Sequence, residues 1–183
     1  MAKTIAMDDP EELLDLVDDN DKVIGTVARR EIASKMLDLP GNVRASDCFI
    51  VDSRGRLFVP RRSPDKKRLP NALDFSAGEH VASGETYLQA MVRGFKEELG
   101  MTIQPSDLEH IGTLNLRSAG LIPYIDAIFI YHSDATPDYN KDDFASHEWL
   151  TPDELRRKIR AGEPAKVNIL PALDLYEQAK SKG

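Results

Sequence analysis

Residues 78–101 read GEHVASGETYLQAMVRGFKEELGM, a glycine-rich loop running into an acidic helix. Thr86 and Gln89 have the spacing of a capping box, which predicts a helix starting just after Thr86. Gly100 stands where a glycine in left-handed conformation closes a helix. Leu88, Val92, Phe95 and Leu99 fall at helical spacing and make one apolar stripe that must face a core. Glu97 and Glu98 lie on the other side, next to Arg93. Adjacent carboxylates repel each other and gain nothing from the negative end of the helix dipole. Such a pair is poor for stability but suited to gathering a hard divalent cation, which prefers oxygen ligands. Taken alone, a Glu-Glu pair reads as a solvated polar face.

Upstream, Arg44–Val51 and Arg56–Arg61 read as strands joined by the turn Asp52-Ser53-Arg54-Gly55. The following run, Arg61-Arg62-Ser63-Pro64-Asp65-Lys66-Lys67-Arg68, holds five positive charges in eight residues. On an acidic protein, a local basic cluster suggests an anion held close by. This segment feeds through Leu69–Asp74 into the acidic helix. Cations for phosphate oxygens beside carboxylates for a metal are what a metal–polyphosphate substrate requires. Arg61, Arg62, Lys66 and Lys67 are the candidate phosphate ligands.

At the start of the chain, residues 1–10 read as a loose tail. Glu12–Val17 and Lys22–Val27 then form two short strands around the acidic turn 18–21. That turn has neither the central glycine nor the closing glutamate of a calcium loop. A helix over Arg29–Leu37 ends before Pro40-Gly41. Past the acidic helix, Leu108–Leu116 and Ile122–His132 make a second strand pair. Its stretch Tyr124–Tyr131, dense in β-branched and aromatic residues, reads as a central strand. After an acidic loop over 134–143 come a short strand, Glu148-Trp149-Leu150, and a helix with Thr151 as N-cap and Pro152 at its first position. A last helix spans about Asn168–Lys180. His80, beside the acidic helix, is the histidine of interest; His110, His132 and His147 read as strand or loop residues.

The 183 residues, with 41% hydrophobic and 30% charged content, fit one globular domain. A formal charge of −7 argues against general nucleic-acid or anionic-membrane binding. The single cysteine, Cys48, excludes an internal disulfide framework and reads as a buried strand residue. The first ten residues lack a signal-peptide core and no long apolar run exists, so a cytoplasmic location is expected.

The acidic stretch resembles the signature box of the Nudix hydrolases, G-x5-E-x7-R-E-U-x-E-E-x-G-U, U being a bulky apolar residue. Glu85, Arg93, Phe95, Glu97, Glu98, Gly100 and Met101 give seven matches among nine specified positions. Glu79 stands in place of the leading glycine, and Gly94 in place of the glutamate after the arginine. That glutamate would join the following pair at i, i+3 and i+4 on one helix face. Gly94 removes it, at a cost of about 1 kcal/mol relative to alanine inside a helix. Glu79, on the loop just ahead, is the nearest carboxylate to fill the gap.

The order of elements over roughly 44–180 resembles the Nudix fold. The resemblance implies an α/β protein, an α/β/α sandwich with a mixed β-sheet and an N-terminal β-hairpin extension. Residues 1–40 would form the tail, hairpin and short helix, and 41–183 the Nudix domain. Asp15–Gly25 and Arg61–Asp74 look like the isopentenyl-diphosphate isomerase-like branch, with Asn71 where that branch usually has glycine. The isomerase itself is not supported, since Gly78 and Val43 stand near its cysteine and histidine positions. Hydrolases of that branch often carry an acid before the late tryptophan; Ser146 takes that place here, leaving Asp142, Asp143 or Glu148 as stand-ins.

The resemblance implies Mg²⁺- or Mn²⁺-dependent hydrolysis of a small-molecule diphosphate, a nucleoside diphosphate or a nucleoside diphosphate linked to a group X. Glu97 and Glu98 would bind the metal, with Glu85 and Glu79 completing the shell and Arg93 fixing a glutamate. The alternative is a degenerate Nudix domain that binds a phosphorylated ligand or a protein partner without hydrolysis. The N-terminal hairpin could serve a homodimer.

Overall fold

The computed structural model describes residues 9–35 and 38–182. The first eight residues of the expected tail and the expected helix end at Leu37 lie outside them. In chain order come β1 (Leu13–Val17), β2 (Val23–Ala28), α1 (Arg29–Lys35), β3 (Asn42–Val51) and β4 (Leu57–Arg62). Then follow β5 (Ala77–His80), α2 (Tyr87–Leu99), a 3₁₀ turn at Pro105–Asp107, β6 (Leu108–Asn115) and β7 (Tyr124–His132). β8 (Phe144–Leu150), α3 (Pro152–Arg160) and α4 (Ile169–Lys180) close the chain.

β3 is the spine of an eight-stranded mixed sheet. β7 runs parallel along one side of it, from Val43 opposite Tyr124 to Val51 opposite His132. The other side is shared by β1 at Asn42 and Val43, β5 over Ala45–Cys48, and β4 at Val51. β2, β6 and β8 extend the sheet from β1, β7 and β4.

Side chains alternate across a strand, so β3 serves both faces. Cys48 and Ile50 pack with Met91, Phe95 and Leu99 of α2, whereas Phe49 and Val51 pack with Leu155 of α3 and Leu173 of α4. Burial on both faces explains the nearly continuous apolar run Cys48–Val51. The result is the expected α/β/α sandwich, with a third cluster of Leu14, Val27, Ile32, Val43 and Tyr124 under the N-terminal hairpin. None of the described helices is long and apolar enough to cross a membrane.

The caps of α2 match expectation. The Thr86 hydroxyl accepts from Gln89 N, the Gln89 side chain accepts from Thr86 N, and Gly100 takes φ 63°. The buried face differs: Ala90, Met91, Gly94, Phe95 and Leu99 are buried, while Leu88 and Val92 are half-buried at its margin. Gly94 has no side chain to push away β5, so the helix turns that side inward. The acidic turn after β1 is closed locally, since Asp18 Oδ1 accepts from Asn20 N and Lys22 N. β8 starts at Phe144 rather than Glu148, because it pairs with β4 as far as Arg62.

Candidate active site

α2 delivers its carboxylates to one end of a cavity of about 740 Å³, bounded also by β3, β5, the basic loop and the N-terminal segment. Arg93 is the hub of that end. Its Nε and Nη2 donate to the two oxygens of Glu85 at 3.1 and 3.0 Å. Nη1 donates to Glu79 at 2.9 Å and to Glu97 at 3.4 Å, and Nη2 also donates to the His80 carbonyl at 2.8 Å. Glu85 in turn accepts from Ala82 N at 3.0 Å, so the loop before the helix is locked to the same guanidinium. Glu98 accepts from Gly78 N at 2.9 Å, linking the last turn of α2 to β5.

Burial opposes ionisation here, and the neighbours only partly compensate. Glu79 is raised to about 7, chiefly by burial, with Arg93 pulling it down and Glu97 pushing it up. Glu98 is also raised, by burial first and by the charge of Glu79 second. Crowded acids pushed toward their protonated forms are a usual mark of a functional site.

The far floor of the cavity carries polar groups that the sequence reading missed. Asn168 Nδ2 donates to Asp47 at 2.7 Å and to Asp126 at 2.6 Å, joining β3 and β7 to the start of α4. Lys166 Nζ lies 2.8 Å from Asp74 and 3.4 Å from Asp47. Burial raises the carboxyls of Asp47 and Asp126, whereas Lys166 is raised because Asp47 and Asp74 outweigh the effect of its own burial. The available signal was an aspartate inside each of two apolar strands, where aspartate is depleted. Pro10, Glu12, Arg29 and Arg30 wall the cavity from the N-terminal side.

The basic segment divides. Arg62, Lys66, Lys67 and Arg68 line the cavity, with Arg62 bonded to Asp74 at 2.7 Å and Lys66 paired with Asp143. Arg61 does not line it: its guanidinium reaches Glu163 at 2.6 Å and the Asn71 carbonyl at 2.9 Å. Asp143 is thus the late acid that reaches the cavity, while Glu148 pairs with Lys158 at 3.2 Å. Asn71 takes φ 59°, a left-handed conformation that asparagine tolerates better than most residues.

Among the described residues, no three His, Cys, Asp or Glu side chains are gathered closely enough to hold an ion as they stand. The Arg93 guanidinium occupies the point where Glu79, Glu85 and Glu97 meet. In chemistry and number, the carboxylates of Glu79, Glu85, Glu97 and Glu98 fit a hard divalent ion such as Mg²⁺ or Mn²⁺.

The chain is similar to known proteins over most of its length. Residues 41–173 match the NUDIX domain family. The chain is 38% identical over 165 residues to an uncharacterized Nudix hydrolase of Nostoc sp., covering 90% of this chain and 95% of that protein. It is 39% identical over 159 residues to a Nudix hydrolase of Deinococcus radiodurans, covering 87% and 90%. A crystal structure of a Deinococcus radiodurans protein superposes with TM-score 0.78 at 37% identity, covering 89% of this chain and 98% of that one.

Proposed function

The chain belongs to the Nudix family, and from that premise we propose that it is a metal-dependent pyrophosphohydrolase acting on a nucleoside diphosphate or a nucleoside diphosphate-X compound. What supports this reading is one juxtaposition: Glu79, Glu97 and Glu98 beside Arg93, and the cations Arg62, Lys66 and Lys67, line the same cavity, while Glu85 stands behind Arg93 and orients it. Mg²⁺ or Mn²⁺, held by Glu97 and Glu98 with Glu85, would supply charge neutralisation of the diphosphate and a lowered pKa for an attacking water.

The remaining work falls to the chain. Arg93 uses its fork to fix Glu85 and Glu97, so their oxygens are placed before substrate arrives. Lys66 lines the cavity beside Asp143 and brings a positive charge to where phosphate oxygens would lie. Lys67 is exposed at the rim, where it attracts a polyanion by charge. Arg62 is braced by Asp74, which keeps its planar head from swinging away.

The test is a panel of nucleoside diphosphates and their sugar conjugates with Mg²⁺ or Mn²⁺, followed by release of phosphate or nucleoside monophosphate. Hydrolysis of at least one member, lost in Glu97→Gln with the fold intact, is expected. Silence across the panel, or full turnover by Glu97→Gln, would refute the proposal.

A further inference from the structure

We propose that Glu79 supplies the carboxylate that position 94 of α2 lacks, so that β5 and α2 hold the divalent ion jointly. The inference rests on the metal-dependent reading above and adds a ligand from outside the helix. Positions 94, 97 and 98 share one helix face at i, i+3 and i+4. A carboxylate at 94 would therefore stand beside those of Glu97 and Glu98. The chain has Gly94 there, buried against β5. A Cβ on Gly94 would lie 2.5 Å from Glu79 Cγ and 3.3 Å from Met91 Cε, so the Glu79 side chain fills the volume that a residue at 94 would need.

The carboxylate of Glu79 arrives at the same guanidinium nitrogen as that of Glu97, through Arg93 Nη1. The Glu79 side chain is only 8% exposed. Enclosing an acid that deeply is costly unless cations answer it. Arg93 is one cation shared among Glu79, Glu85 and Glu97, with Glu98 one turn away and the charge of Arg29 also acting on Glu79, so the carboxylates still outnumber the cations. A divalent ion would correct that imbalance. The glycine and the glutamate are thus one exchange: the carboxylate has moved from the helix to the facing strand, and the helix has given up a side chain to admit it.

The experiment compares Mn²⁺ affinity, read from the electron paramagnetic resonance signal of free Mn²⁺, in four proteins. They are the wild type, Glu79→Gln, Glu79→Gly, and the double variant Glu79→Gly with Gly94→Glu, each checked for folding by circular dichroism. Glu79→Gln preserves volume and an acceptor for Arg93, so it tests the charge without disturbing the packing. It is expected to weaken Mn²⁺ binding about 10- to 100-fold, the range typical of disturbed metal sites. Glu79→Gly should lose at least as much, and the double variant should regain most of the loss. If the wild type binds Mn²⁺ and Glu79→Gln binds it equally well, the assignment of Glu79 fails while the hydrolase reading stands. A double variant no better than Glu79→Gly overturns the exchange. A wild type that binds no Mn²⁺ removes both.

Discussion

The ammonium of Lys166 stands 2.8 Å from the carboxylate of Asp74 and ties the segment before α4 to the loop ahead of β5, where Asp74 also anchors Arg62. A second carboxylate, Asp47, lies 3.4 Å from the same nitrogen, and both acids are almost fully buried. Removing one partner of a buried ionic group leaves an uncompensated charge, typically at 3–5 kcal/mol. Lys166→Met is therefore expected to lower unfolding free energy by about 3 kcal/mol or more, measured by urea denaturation.

Arg93→Lys keeps the charge but loses the fork, and a lysine cannot serve Glu79, Glu85, Glu97 and the His80 carbonyl together. Turnover with Mn²⁺ should fall by about one to two orders of magnitude, in the range seen when groups orienting metal ligands are altered. Steady-state kinetics on a substrate found by the panel, with a circular dichroism control, checks this.

His80 carries a pH signature. Its ring is pushed from 6.5 down to about 3, by burial first and by nearby cations including Arg29 and Lys166 second, and Nε2 lies 2.9 Å from Tyr124 Oη. The folded state keeps this ring neutral while the unfolded chain protonates it near 6.5. The contribution to stability is therefore undiminished above pH 6.5 and is lost progressively as pH falls toward about 3. The slope expected is at most about 1.4 kcal/mol per pH unit. Denaturation midpoints from pH 7 to 4 should show it in the wild type and lose that component in His80→Gln.

Leu69 takes φ 49° on the cavity rim and is 44% exposed. Left-handed backbone costs a residue with a Cβ about 1–2 kcal/mol, part of which glycine offsets by its larger loss of chain entropy. Leu69→Gly should stabilise the fold by roughly 0.5–1 kcal/mol and raise KM, because Leu69 lines the cavity. Thermal melts and kinetics on one preparation test both effects.

The helix at the centre of the site was legible because its signals are local. Thr86, Gln89 and Gly100 specify their caps within a few residues, and the resemblance to the signature box singled out Glu85, Arg93, Glu97 and Glu98. The floor was not. Asp47, Asp126, Lys166 and Asn168 come from three distant parts of the chain, and only the parallel register of β3 with β7 and the docking of α4 bring them together. Five adjacent cations looked alike in sequence. Arg61 and Arg62 follow one another at the end of β4, where its pairing with β8 shifts register between them. Arg62 reaches Asp74 in the cavity wall and Arg61 reaches Glu163, a division that adjacent positions in the sequence do not display. The reason for Gly94 was likewise a contact across two elements, which no local pattern displays.

The parallel pairing of β3 with β7 joins residues about 80 positions apart, Val43 with Tyr124 at one end. On a ribosome working at about 5–20 residues per second, β3 emerges roughly 4–16 s before its partner is made. For that interval one flank of its greasy middle has no mate, and the nascent polypeptide must be shielded or kept from its neighbours. Biosynthesis of this molecule should accordingly depend on holdase chaperones more than its modest size would suggest.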